Sequence, residues 1–370
     1  MLPERERLLL GPGPSPVSPR VMAALSRPMR SHLDPDLLAV LDDLRARLSR
    51  VLRAPEGSLV LAVSGTGTSA MEAAVANLVS PGARALAAVN GYFGDRLATM
   101  LERYGAVVTR VTAEWGRAID PAEVARALAD AGAIDLVTIV HAETSTGVLN
   151  PIRDVTAFAH AHDALIVVDA VTSLGSLPFD MAAWDIDACY SCSQKGLGAP
   201  PGLSPIAFAP RARARMTPSR SFALDAALLD DFWTRRHYHH TISAPLVWAL
   251  HTALTEVEEE GLAARWQRHE RTHHRLLEAL TPLGLGLWPA AGERLWNLNA
   301  VRVPDDVNEA TVRAELLRGH DIEIGAGLGP LAGRAWRVGL MGSGATNESV
   351  DRLSRALPLA LAAGRKRGVS

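Results

Sequence analysis

Ser191-Cys192-Ser193-Gln194-Lys195-Gly196-Leu197-Gly198-Ala199-Pro200-Pro201-Gly202 sets one lysine in a run of small, flexible and turn-forming residues. Apolar stretches flank it, Ala188 to Tyr190 before and Leu203 to Phe208 after, and both read as buried strands. A lysine displayed between buried strands is not an ordinary solvated charge. Few side chains in such a setting do useful chemistry, and an amine able to form a Schiff base is one of them. Upstream, Leu165-Ile166-Val167-Val168-Asp169-Ala170 is a largely β-branched apolar run that meets a carboxylate at its end. An acid at a strand end and a lysine on a later turn are what pyridoxal phosphate needs. The lysine holds the aldehyde, and the carboxylate keeps the pyridine nitrogen protonated so that the ring is an electron sink.

Other segments supply the remainder of such a site. The run Ser58 to Val63 leads into Ser64-Gly65-Thr66-Gly67-Thr68-Ser69-Ala70, and Met71 to Leu78 follows as helix. Strand, glycine turn and helix start aim backbone N–H groups at an anion. Gly65-x-Gly67-x-x-Ala70 matches a relaxed dinucleotide fingerprint, but that reading needs an acid after the second strand. The second strand, Arg84 to Val89, ends on Asn90-Gly91, which argues against a nicotinamide cofactor and a dehydrogenase. The hydroxyls of Ser64, Thr66 and Thr68 suit a phosphate monoester. Phe93, opening the next helix, is the candidate aromatic for one ring face. Hydroxyls in His141-Ala142-Glu143-Thr144-Ser145-Thr146-Gly147 either reach a ring oxygen or cap a turn. Further on, Arg334-Ala335-Trp336-Arg337-Val338-Gly339-Leu340 carries an arginine between apolar neighbours. A half-buried arginine needs an anion, and a substrate carboxylate or a structural ion pair would serve; Arg334 competes for the role.

Repeated strand–helix units from residue 58 to 169 give an α/β fold, a mostly parallel sheet with helices on both faces. Ligands then sit at the carboxyl ends of the strands, where Ser64 to Thr68, Phe93, Ser145 and Asp169 all fall. Ala244 to Leu280 reads as a long helical region broken at Gly261, and the strands and helices beyond it form a smaller α+β part. The expected division is an N-terminal arm, 1–20, a large cofactor-binding domain, 21–242, and a small C-terminal domain, 243–370. The arm holds Gly11-Pro12-Gly13-Pro14-Ser15-Pro16, which is neither helix nor strand. It is either a disordered lead-in or a backbone-rich loop lining a pocket.

Composition bounds the function. The 370 residues are 48% hydrophobic and 21% charged, as in a globular chain. A net charge of −2 leaves no footprint for nucleic acid or anionic membrane. No apolar run approaches the roughly 20 residues that span a bilayer, and Leu8 to Leu10 is too short for a signal-peptide core. Cys189 and Cys192 stand alone, without the second pair that zinc would need, and fit a reducing cytoplasm. The histidines of Arg235-Arg236-His237-Tyr238-His239-His240-Thr241 have no acid or cysteine near in sequence, so no metal is expected. Arg365 to Ser370 is a basic tail and not a peroxisomal address.

With these residues assembled, the chain resembles the class V aminotransferases of pyridoxal phosphate fold type I, in particular the alanine–glyoxylate and serine–pyruvate branch. The resemblance runs from Leu9-Leu10-Gly11-Pro12-Gly13-Pro14 to Arg337-Val338-Gly339. It is most specific at Ser193-Gln194-Lys195, Ala199-Pro200-Pro201-Gly202, Ser145-Thr146-Gly147-Val148 and Tyr238-His239-His240-Thr241. It implies Lys195 as the Schiff-base lysine and Asp169 as partner of the ring nitrogen. It implies phosphate contacts from Thr66, Gly67, Thr68 and Gln194, with Tyr238 and Thr241 reaching in from the second subunit of a homodimer. Val171 would lie under the ring, Ser145 beside it, and Arg337 on the substrate carboxylate. Phe93 stands where relatives often have tryptophan, and Thr68 where some have histidine.

The implied activity is ping-pong transamination between a small amino acid, alanine or serine, and a small 2-oxoacid, glyoxylate or pyruvate. Arg337 would fix one carboxylate while the arm, with Gly13, closes over the site and leaves no handle for a distal one. Arg236, two residues before Tyr238, is the residue that could greet a second carboxylate from across the interface. Same-fold rivals act on 2-aminoethylphosphonate or ureidoglycine. A cysteine desulfurase needs a mobile thiol in the C-terminal half, and no cysteine follows Cys192.

Overall fold

The computed structural model describes residues 6–365; most of the basic tail lies outside them. Thirteen strands occur in chain order: β1 Leu8–Leu10, β2 Leu59–Gly65, β3 Arg84–Val89, β4 Val107–Thr112, β5 Leu136–Val140, β6 Ala142–Glu143, β7 Val148–Leu149, β8 Leu165–Asp169, β9 Ala188–Tyr190, β10 Gly202–Phe208, β11 Leu298–Arg302, β12 Ile322–Ala326 and β13 Ala335–Gly339. Seven of them form one sheet in the order β2-β10-β9-β8-β5-β3-β4. The pairs from β9 through β8, β5 and β3 to β4 are parallel. β5 and β8 at the centre are buried along their whole length because helices cover both faces.

The exception to parallel order positions the lysine. β10 runs antiparallel to both neighbours, with Ile206 opposite Tyr190 and Gly202 opposite Gly65. The chain therefore leaves β9 at the carboxyl edge of the sheet, makes the turn that carries Lys195, and re-enters at the same edge. That register brings the lysine turn beside the turn that follows β2.

A second sheet has the order β1-β12-β13-β11. β1 pairs in parallel with β12, Leu8 opposite Ile322 and Leu10 opposite Ile324. The N-terminal arm is thus not wholly irregular. Leu8–Leu10 form a strand too short for sequence periodicity to show, and Leu10 packs in an apolar cluster with Leu316, Trp336, Val338 and Leu353. The helical region beyond the large sheet is two helices, Ala244–Glu260 and Leu262–Leu280, which meet at Gly261 as its φ of +79° permits.

The helix Leu262–Leu280 fastens the lysine turn through Arg265, which is 5% exposed. Its Nε donates to the Gly175 carbonyl at 3.0 Å and its Nη2 to the Gly196 carbonyl at 2.8 Å, while Nη1 pairs with Glu260 at 2.7 Å. Gly196 is tightly enclosed, since a Cβ there would come within 2.2 Å of the Leu174 carbonyl oxygen. Among the described residues no helix is long and apolar enough to cross a membrane, and no group of metal-ligating side chains occurs.

Replacing Arg265 by leucine leaves two buried carbonyls without donors, at about 1–3 kcal/mol each. Arg265→Leu should lower the unfolding free energy by about 2–5 kcal/mol in a denaturant titration and lower kcat as well, since both carbonyls belong to turns that hold the amine. Unchanged stability would show that the clamp carries no energy.

Candidate active site

Lys195 lies at the centre of a cavity of ≈ 410 Å³ walled by Pro12, Thr66, Thr68, Phe93, Asp169 and Arg337, among others. The side chain is 8% exposed, and its Nζ donates to Thr172 Oγ1 at 3.0 Å. Burial, without a directly bonded carboxylate, lowers its pKa below that of a free lysine. The turn around it is held from several directions. Ser193 Oγ donates to the Pro200 carbonyl at 2.6 Å, and Ser15 from the arm gives its N–H to the Gln194 carbonyl at 2.8 Å and its hydroxyl to the Lys195 carbonyl at 2.9 Å. Gly13 lies so close above that a Cβ there would meet Lys195 Cγ at 3.2 Å. The arm is therefore a pocket wall and not a disordered lead-in.

Asp169, at the end of β8, is 3% exposed. Burial pushes its carboxyl up to about 6, against the Val171 N–H at 2.8 Å, the charge of Lys195 and the Tyr190 hydroxyl at 3.0 Å. Tyr190 is a site residue that sequence reasoning leaves in the core of β9, because on a buried strand an aromatic gives no sign of what its hydroxyl meets.

Thr66 precedes the helix Gly67–Leu78 and makes no side-chain cap, so the first N–H groups of the helix have no side-chain acceptor from it. Thr66, Gly67 and Thr68 all line it, as do Gln194 and Val171. A Cβ on Gly67 would come within 3.0 Å of Val171 Cγ2, so the turn passes closely over the valine. Ser64 is turned away, its hydroxyl 2.8 Å from His240 Nε2. The Gln194 side-chain oxygen is buried without a partner.

Ser145 is 0% exposed, and Thr144 rather than Ser145 lines the cavity. The serine hydroxyl donates to Glu143 Oε1 at 2.6 Å and accepts from the Tyr92 N–H at 2.9 Å. Glu143 is the second residue that sequence reasoning passes over. Its carboxylate, fully buried, also accepts from the N–H groups of Phe93 and Gly94 at 3.1 Å each and of Ser145 at 3.0 Å. Burial raises its pKa while these donors oppose the rise. The signal was present: the helix Tyr92–Arg103 starts on Gly91, which has no side chain to cap it, so an acceptor from elsewhere is required. Phe93 is set in place by this carboxylate, its ring centroid 5.4 Å from Lys195 Nζ.

Arg337, on β13, is more buried than the sequence indicates, at 8% exposure. Its Nε donates to the Ala326 carbonyl at 2.7 Å, and among the described residues it forms no ion pair. Desolvation lowers it to about 10, partly offset by Glu143. Arg334 is exposed, with its guanidinium 5.1 Å from the Trp288 ring. Arg236 is paired with Asp42 at 2.5 Å and does not line the cavity of its own chain, which the expected reach across a subunit interface does not require. The structure does not bring Tyr238 and Thr241 to the cavity of their own chain. Both are exposed, Tyr238 by 65%, and its ring lies against His32.

A buried amine, a buried carboxylate, a helix start free to bind an anion and an unpaired buried guanidinium thus converge at one sheet edge. The chain matches the model of the class-V aminotransferases over residues 10–352. It is 39% identical over 366 residues to the alanine–glyoxylate aminotransferase of Oryctolagus cuniculus, covering 96% of this chain and 92% of that protein. The crystal structure of alanine–glyoxylate aminotransferase from Nostoc sp. superposes with a TM-score of 0.94 at 44% identity, over 98% of this chain and 97% of that one. The ureidoglycine–glyoxylate aminotransferase of Bacillus subtilis superposes with a TM-score of 0.94 at 31% identity, over 99% and 96%. Site chemistry, fold and likeness agree: the chain belongs to the class-V aminotransferases, fold type I enzymes of pyridoxal-phosphate-dependent transamination.

Proposed function

We propose that this enzyme passes the amino group of a small amino acid, alanine or serine, to glyoxylate or pyruvate in ping-pong order. The observation that carries the reading is Arg337, a buried cation on the cavity wall with no acid of its own. A substrate α-carboxylate supplies the missing charge. Pro12, Gly13 and Leu328 on the lining offer nothing to a distal carboxylate, and the other lining guanidinium, Arg96, is bonded to Thr68 of the phosphate turn. The likeness to alanine–glyoxylate aminotransferases supports the same choice. Likeness to the ureidoglycine enzyme adds one competing donor to the test.

The residues fit pyridoxal phosphate. The uncapped helix start with Thr66, Gly67 and Thr68, and the amide of Gln194, suit its phosphate. Phe93 and Val171 suit the two ring faces, Ser145 holds the backbone beside the ring, and Asp169 suits the ring nitrogen. When bound, the cofactor supplies a carbonyl to take up nitrogen and a sink for the electrons left on Cα. Lys195 is the base that removes the Cα proton and the acid that returns it, a role for which desolvation readies a neutral amine at Nζ. Asp169 keeps a proton at the ring nitrogen, because a buried carboxylate pushed up to about 6 is best satisfied by a cation. Tyr238 and Thr241 complete the phosphate site of a second subunit, so the working unit is a homodimer.

Lys195→Ala should lower turnover by about 10³-fold or more, and borohydride should no longer fix the cofactor to the chain. In apo wild-type protein, capture of the aldehyde should rise with pH through a midpoint below the 10.5 of a free lysine. Wild-type turnover in the alanine variant would remove the lysine from the mechanism.

The substrate reading is decided by kcat/KM for alanine, serine, ureidoglycine, aspartate and glutamate, with glyoxylate, pyruvate and 2-oxoglutarate as acceptors. Alanine or serine with glyoxylate or pyruvate should lead. Arg337→Ala should cost every donor roughly 10- to 150-fold, the worth of a charge-assisted pair of about 1.5–3 kcal/mol. A lead for glutamate with 2-oxoglutarate refutes the small pocket.

Mixing Lys195→Ala with a Tyr238→Ala, Thr241→Ala double variant tests the shared site. Reassembled heterodimers should regain one intact site of two, visible as activity that neither parent has. Fully active, cofactor-loaded monomer at high dilution would overturn the arrangement.

A further inference from the structure

The phosphate of pyridoxal phosphate carries about −1.5 to −2 charge near neutral pH. The turn assigned to hold it, Ser64 to Ala70, contains no lysine or arginine. Hydroxyls and a helix start, worth about half a positive charge, leave most of that charge unmatched. Three cationic side chains line the cavity: Lys195, Arg337 and Arg96. The first is bonded to Thr172 and the second lies on the Ala326 carbonyl.

Arg96 is different. Its Nη1 donates to Thr68 Oγ1 at 3.1 Å. Its Cζ lies 5.0 Å from the ring centroids of both Tyr92 and Phe93, and Nη1 to Thr68 is its one side-chain hydrogen bond among the described residues. Among the described residues it enters no ion pair. Asp95 and Glu72, which line a neighbouring pocket with it, are engaged elsewhere, Asp95 with Arg110 at 3.6 Å and Glu72 with the Tyr104 hydroxyl at 3.0 Å. The Phe93 ring thus has the amine 5.4 Å away and the guanidinium 5.0 Å away. The aldehyde and the phosphate arm are likewise adjacent substituents on one pyridine ring.

We infer that Arg96 is the cationic contact that this subunit gives to the cofactor phosphate, acting beside Thr68. The inference rests on the reading above, in which the cavity holds pyridoxal phosphate with its phosphate at Thr66 to Thr68. Arg96 then distinguishes the phosphorylated cofactor from its alcohol. A fork already fixed on two aromatic faces loses little freedom on binding.

Apo wild-type, Arg96→Gln and Arg96→Lys proteins are titrated with pyridoxal phosphate and with pyridoxal, followed by the absorbance gained on binding. Arg96→Gln should weaken pyridoxal phosphate by about 10- to 100-fold and leave pyridoxal unchanged. Arg96→Lys should recover most of the ratio between the two ligands, which does not depend on how stably the variant folds. Added salt should narrow the gap between wild type and Arg96→Gln. Unchanged affinity for pyridoxal phosphate in Arg96→Gln overturns the inference, and so does equal loss for both ligands, which would make the residue a spacer. Unchanged cofactor affinity with a selective loss of kcat/KM for dicarboxylic donors also overturns it, assigning Arg96 to the substrate. Wild-type protein that takes up neither ligand overturns the reading of the cavity, and this inference with it.

Discussion

Burial in one cavity opposes the tendency of an amine and a carboxylate to stay charged, although each charge favours the other, and the surrounding structure is what holds them there. Lys195 is pulled toward its neutral form and Asp169 toward its acid form by loss of water. Neither makes a direct ion pair with the other; each is held by a neutral group, Thr172 for the amine and Tyr190 for the carboxylate. A cavity so arranged is costly when empty and is satisfied by a ligand that brings a carbonyl to one group and a basic nitrogen to the other.

The supports for that cavity are themselves buried and polar. Arg265 ties two turn carbonyls, Glu143 gathers three N–H groups and a hydroxyl, and Asn297 donates from the second sheet to the Thr172 carbonyl at 2.6 Å. Each fixes a neighbour of the reacting groups and touches none of the chemistry. Networks of this kind specify one geometry because any partner lost leaves a desolvated group behind.

Much of this was legible in the sequence, for identifiable reasons. The alternation of apolar runs with amphipathic segments fixes a doubly covered sheet, and the strand-end positions of Thr66, Phe93 and Asp169 follow from it. Lys195 stands out because Asp169, at the end of an earlier strand, gives a lone lysine among turn residues a chemical partner. Arg337 stands out as an arginine between apolar neighbours, which calls for an anion from a substrate or from the chain itself. What stays hidden is polar function inside apolar pattern. Tyr190 looks like core, Glu143 looks like one acid in a polar loop, and Arg265 looks like one basic residue on an amphipathic helix. Their partners lie far away in sequence, and no local rule reports a contact made by folding. β1 escapes for a related reason, since three leucines become a strand only when β12 is beside them. The reversal of β10 likewise depends on pairing with β2, which precedes it by a long stretch of chain.

The pairing of β1 with β12 also sets an order of events during synthesis. Chains emerge from the ribosome N-terminus first, and segments that need later partners wait for them. The strands of the large sheet, the lysine turn and Asp169 all emerge before β12 and β13 exist. Until then Leu8–Leu10 has no sheet to join, the arm is tied to the lysine turn through Ser15 and not through β1, and Arg337 has not been made. A nascent chain therefore carries its Lys195 amine without the full cover from the synthesis of residue 195 until that of β12 and β13. The roof over the catalytic chamber is the last part of the molecule to close, although its first beam is the first part to be built.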